Sequence, residues 1–106
     1  MEISTLRKGN QIRIILQGTM DEKNAVRLRD HFRSLDLADI REVELDFAGV
    51  GRVGSAGIGK LLLFYKWLAN SGGNLAVVNL PDPIFNLFNE LEFHTLFRVA
   101  GQEFTA

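Results

Sequence analysis

The stretch from Val43 to Leu63, VELDFAGVGRVGSAGIGKLLL, constrains this chain more than any other. Val43 to Phe47 reads as a buried strand, and a helical pattern starts near Ser55. Between them, Ala48 to Gly54 holds Gly49, Gly51 and Gly54. Glycine loses the most entropy when it is fixed, so this segment is expected to be a loop and not a regular element. Such a loop would leave backbone amides free before a helix N-terminus, where a phosphate, a carboxylate or a partner's acidic group is stabilised. Function is expected to be read out here.

What flanks this stretch follows from periodicity. Ile3 and Leu6, a turn at Gly9 and Asn10, and the alternation of Ile12, Ile14 and Leu16 predict a hairpin over residues 2–17. Gly18 to Asp21 breaks the pattern, and Asp21 is placed as the N-cap of a helix from Glu22 to about Leu35. Ala25, Leu28, Phe32 and Leu35 form its inner stripe. Lys23, Arg27, Arg29 and Arg33 lie off it, among acids, as a solvated surface, and His31 reads as a surface residue.

The helix from Ser55 to about Ser71 gets a stripe of Ile58, Leu61, Leu62, Tyr65 and Ala69. Leu63, Phe64, Trp67 and Leu68 fall off that stripe, so the helix is apolar nearly all round. Flanking helices would cover Leu68, and Phe64 and Trp67 stand equally for core or partner contact. Gly72 and Gly73 end the helix, and Leu75 to Val78 reads as a buried parallel strand. Pro83 opens a last helix with Ile84, Leu87, Phe88 and Leu91 inside, and Phe93 to Val99 adds an edge strand. Helices between strands imply parallel pairing with right-handed crossovers. The expected fold is α/β, a mixed, mostly parallel four- to five-stranded sheet with helices packed against it, and a single domain over residues 1–106.

Composition narrows the function. The chain has 106 residues, a net charge of −1, no cysteine and two histidines. No global field favours nucleic acid or an anionic membrane, and a thiolate or histidine-rich metal site lacks its ligands. The N-terminus lacks a signal-peptide core, and the longest apolar run, Ile58 to Ala69, is broken by Lys60 and Lys66 and falls short of the roughly 20 residues of a membrane span. A cytoplasmic protein without membrane insertion is expected. Gly49 to Gly54 satisfies G-x-G-x-x-G, but no acid stands before Asp82 to hold a ribose. Gly54 to Lys60 satisfies most of a phosphate loop, but Leu61 stands where a hydroxyl must reach magnesium. With neither motif complete and no catalytic set, the reading is of no enzyme, no cofactor and no metal.

The sequence LDFAGVGRVGSAGIGKLL resembles the signature of STAS domains (sulfate transporter and anti-sigma factor antagonist), where Asp-Ser-Ser-Gly leads into a helix. Gly18 to Asp21 with Asn24-Ala25 resembles the segment opening the family's first helix, and PIFNLFNELEFHTLFRV its last helix and edge strand. The resemblance implies a partner-switching protein that binds an anti-sigma factor, itself a serine protein kinase, and is released by phosphorylation of the second serine. A STAS subunit of a lipid or anion transporter complex is the alternative. Here Gly54 replaces the acid, Ser55 keeps the first serine, and Ala56 replaces the phosphate acceptor. Ser55 is then either an N-cap or a displaced phosphorylation site, and the standard switch is expected to be absent. The additional C-terminal helix that many relatives carry is not expected within these residues. The docking surface is placed at Thr19, Asp21, Arg52, Gly54, Ser55, Ala56 and Gly57, with the exposed part of the second helix, and a weak homodimer is allowed.

Overall fold

A computed structural model describes residues 1–102. Its elements run β1 (Glu2–Lys8), β2 (Gln11–Met20), α1 (Glu22–Arg33), β3 (Glu42–Val53), α2 (Ser55–Asn70), β4 (Asn74–Leu80), α3 (Asp82–Glu90), a 3₁₀ turn (Phe93–Thr95) and β5 (Arg98–Gly101). The five strands lie side by side in chain order. β1 is antiparallel to β2, and β2 through β5 are mutually parallel. Each parallel step moves in the same direction, so right-handed crossovers put α1, α2 and α3 on one face of the sheet. The mostly parallel α/β sheet expected from the sequence is the one observed.

Alternation sorts the strands between the two faces. Ile12, Ile14 and Leu16 of β2 and Val43, Leu45 and Phe47 of β3 are buried beneath the helices. Arg13, Glu44 and Asp46 point to the other side, where Arg13 pairs with both acids. On the helical side Phe32 of α1 stacks on Phe64 of α2 with centroids 4.4 Å apart. Phe88 of α3 meets Phe47 edge-on at 6.1 Å.

Three boundaries differ from the sequence reading. β2 does not stop before Gly18 but runs through Met20, and β3 does not stop at Phe47 but continues to Val53. The glycine-rich segment is therefore a strand, not a loop. Pairing of β3 with β4 ends at Asp46 opposite Val78, after which β3 follows β2 alone, with Arg52 opposite Thr19 and Val53 opposite Met20. Register shifts fall between Ile15 and Gln17 and between Gly18 and Thr19, each leaving one extra residue on β3. Glycine serves close approach here: a Cβ on Gly49 would stand 2.9 Å from the Leu16 carbonyl oxygen. The last strand also starts later than Phe93, because Phe93–Thr95 turns as 3₁₀ helix first.

The face of α2 is rotated from the expected stripe. Its buried residues are Gly57, Leu61, Phe64 and Leu68, while Ile58, Leu62 and Tyr65 are half-buried and Ala69 is exposed. A helix apolar nearly all round gives the sequence no phase to read; contact with Phe32 sets it. Trp67 is half-buried, with the Arg33 guanidinium 5.8 Å from its ring centre. Leu91, expected inside, is exposed just past the end of α3.

Candidate functional site

At the C-terminal ends of β2 and β3 the chain turns twice into helices, and the two turns are fastened together. Asp21 caps α1, its Oδ1 accepting the Asn24 amide at 2.8 Å, while the Asn24 side chain donates to the Thr19 carbonyl at 2.8 Å. The Gly54 amide donates to the Met20 carbonyl at 2.9 Å, joining the start of α2 to the end of β2. That bond consumes one of the amides that a free loop would have offered to an anion. The N-cap of α2 is Gly54, with no side chain bonded to the first turn, so Ser55 is the first helical residue and not the cap.

Thr19, Asp21, Arg52, Gly54, Ser55 and Ala56, joined by Met20 and Glu22, line one shallow hollow of about 410 Å³. Thr19, Asp21, Arg52 and Ser55 are exposed, and Gly54 and Ala56 are half-buried. Two sequence segments about a third of the chain apart, residues 19–22 and 52–56, thus meet at one place. Gly57 does not belong to this surface. It is buried, a Cβ there would overlap Met20 Cγ and stand 3.3 Å from Val53 Cγ1, and its place in the docking surface is corrected to that of a close contact between α2 and the sheet. Phe64 is likewise removed from any docking surface, being fully buried.

The hollow sets carboxylates (Asp21, Glu22), a guanidinium (Arg52) and two hydroxyls (Thr19, Ser55) around small residues. Mixed charge on a shallow, open surface suits contact with another protein. The two phosphate-loop resemblances dissolve in the geometry. Gly49 and Gly51 lie within a paired strand, and Lys60 lies in the second turn of α2 and not at its start.

Sequence reading missed a second cluster, on the sheet face away from the helices. Asp46 is 7% exposed. Its Oδ2 accepts from Arg13 and from the Asn79 side chain at 3.0 Å, and its Oδ1 accepts the Ala48 amide at 2.9 Å. Burial, the largest single influence, pushes this carboxyl up, but the Ala48 amide, the Arg13 guanidinium and the Asn79 amide together hold it below the usual carboxylate range. The same hydrogen bond raises the Arg13 pKa. Asn79 reaches Asp46 from a left-handed backbone, φ 56°, where β4 parts from β3. The signal was present: an acid between Leu45 and Phe47 in a core strand must find partners. His31, read as a surface residue, is half-buried and shares a hydrogen bond with the Thr5 hydroxyl.

Comparison with known proteins then bears on the whole chain. A family profile described as "Mlab, STAS domain" matches residues 3–100. No curated protein gives a significant match. Among solved structures, a chain described as Mglu is similar over 70% of this chain at 26% identity and a TM-score of 0.63. This chain spans only 18% of that one. The anti-sigma factor antagonist SpoIIAA in its unphosphorylated form is similar over 97% of this chain and 90% of its own, at 13% identity and a TM-score of 0.73. The murine anion transporter Slc26a9 is similar over 92% of this chain but 17% of its own, at 16% identity and a TM-score of 0.75. Among the described residues no helix is long and apolar enough to cross a membrane. With the profile spanning nearly every element from β1 to β5, the chain belongs to the STAS domain family.

Proposed function

We propose that this chain is a non-enzymatic docking module that binds an anti-sigma factor, itself a serine protein kinase, in a cytoplasmic partner-switching circuit that controls transcription. One observation carries the reading: Thr19, Asp21, Arg52, Ser55 and Ala56 meet in a single hollow at the start of α2. Beside it, half-buried Ile58 and Leu62 extend the surface along the helix. A polar hollow next to an apolar helix face has the make-up of a protein interface. The likeness to a protein described as an anti-sigma factor antagonist, over nearly the full length of both chains, supports the partner class.

The binding is unswitched at the usual position, because Ala56 has no hydroxyl to take a phosphate. Ser55 is exposed at the first position of α2 and is the remaining acceptor next to it. A phosphate there would be tolerated by the helix dipole, and so would disturb the fold little. A second reading, a STAS subunit bracing a transporter, is favoured by the likeness to an anion transporter and by the same missing acceptor. Affinity capture from the source cells with cross-linking separates the two. Recovery of a kinase-like protein cross-linked to the hollow is expected, and recovery of transporter subunits alone replaces the first reading by the second. Intact-mass measurement after incubation with the captured kinase and ATP is expected to show no added phosphate. A phosphate mapped to Ser55 that weakens binding overturns the unswitched form.

A further inference from the structure

The two edges of the sheet are unequal. β5 is four residues long, and its pairing with β4 is broken between Val77 and Leu80. β1 is seven residues long, pairs with β2 without a shift from Glu2 to Lys8, and presents its other edge to no described strand. It carries no proline and no bulge, the usual protections of such an edge. Leu6 in its second half is 59% exposed, the most exposed of the large apolar side chains among the described residues.

We propose that β1 pairs antiparallel with β1 of a second copy of this chain, joining two sheets into one across a twofold axis at Thr5. The hairpin geometry says which groups are free. Lys8 and Gln11 close a two-residue turn at Gly9 and Asn10, so they exchange both hydrogen bonds of a narrow pair. Alternation then leaves the N–H and C=O of Ile3, Thr5 and Arg7 facing away from β2. An axis at Thr5 pairs Thr5 with Thr5 and Ile3 with Arg7, so all three find partners. It is also the register that overlaps the whole strand.

Charge favours the same register. β1 reads EISTLRK, acidic at one end and basic at the other. The antiparallel axis sets Glu2 of each copy opposite Lys8 of the other, whereas parallel stacking would bring like charges together. On the face away from the helices Leu6 lies opposite Ser4 and diagonal to the second Leu6, within reach of a long side chain. The contact is small, so the dimer is weak and concentration-dependent.

Sedimentation of the full chain from micromolar to millimolar concentration is expected to show an average mass rising toward twice the monomer. Hydrogen exchange at the Ile3, Thr5 and Arg7 amides is expected to slow over the same range, while that of Ser4 and Leu6 stays unchanged. Thr5→Pro removes an outward N–H and not a bond to β2, and should abolish the rise in mass. Glu2→Lys and Lys8→Glu should each weaken association about ten-fold, and the two together should restore it. A monomer throughout, or a dimer that forms without slowing those three amides, overturns the proposal even if Thr5→Pro fails to fold. Single reversals that leave association unchanged overturn the register.

Discussion

From Glu42 to Asp46, β3 runs between two neighbours, and Val43, Leu45 and the adjoining Phe47 are completely buried. From Ala48 to Val53 it runs beside β2 alone, and Val50 is its one fully covered side chain. The first half belongs to the core and tolerates little. The second half, freed from β4, is an outrigger that carries Arg52 to the hollow and sets where α2 starts. At the junction stands Asp46, bonded to Arg13 behind it, to Asn79 across the parting strands and to Ala48 at the first irregularity. One strand thus separates what holds the fold from what presents the surface, and one carboxylate spans the seam.

Breaking the seam should cost most. Asp46→Ala leaves Arg13, Asn79 and the Ala48 amide without their acceptor, with an expected loss of about 3 kcal/mol in urea unfolding. Because the folded Asp46 pKa is lowered, its contribution is complete above the unfolded value of about 3.9 and is lost as pH falls through the lower folded value. Asp46→Asn should flatten that acid limb of the stability profile, and an unchanged limb would show that other carboxylates govern it.

Next in size is Gly57→Ala, which pushes a methyl group onto Met20 and Val53 at the joint between α2 and the outrigger. A loss of about 1–3 kcal/mol is expected from overpacking, with thermal unfolding as the readout. Ala56→Glu tests the other side of the comparison. It should leave stability within about 0.5 kcal/mol, as surface changes do. The same change should weaken binding of the captured partner by about ten-fold or more in calorimetry, since a buried unpaired charge is costly at an interface. Equal affinity would remove the hollow from the contact. The smallest effect belongs to Gly54→Ser. The N-cap backbone is extended, φ −88° and ψ 172°, and an added Cβ would meet its nearest neighbour, the Met20 carbonyl oxygen, at 3.6 Å. A supplied cap should therefore stabilise by a few tenths of a kcal/mol.

These contrasts also mark where sequence reading succeeds. The order of elements was legible because Ile12, Ile14 and Leu16 alternate and Ala25, Leu28 and Phe32 keep helical spacing. Asp21 was legible as a cap because the bond to Asn24 is local. Most of the hollow could be named in advance because helix starts after parallel strands gather at one end of a sheet. The extension of β3 was not legible, since Gly49 and Gly51 look like a loop unless the nearness of Leu16 and Gln17 is known. Nor was the phase of α2, where apolar residues surround the axis and Phe32 on another element makes the choice. That Asp46 needs partners was legible from its place between Leu45 and Phe47, but their identity was not, since Arg13 and Asn79 each lie 33 residues away.

The side-by-side order of the strands has a kinetic consequence. In this sheet no strand has to enter between two others that have already paired. Each new strand docks on an edge made by the one before it, across a hairpin turn or a short helical connection. Loop closure is thereby kept short at every step, the condition under which a mixed α/β chain folds quickly for its class. A chain emerging residue by residue from its N-terminus could lay down the hairpin first and add β3, β4 and β5 in the order in which they are made.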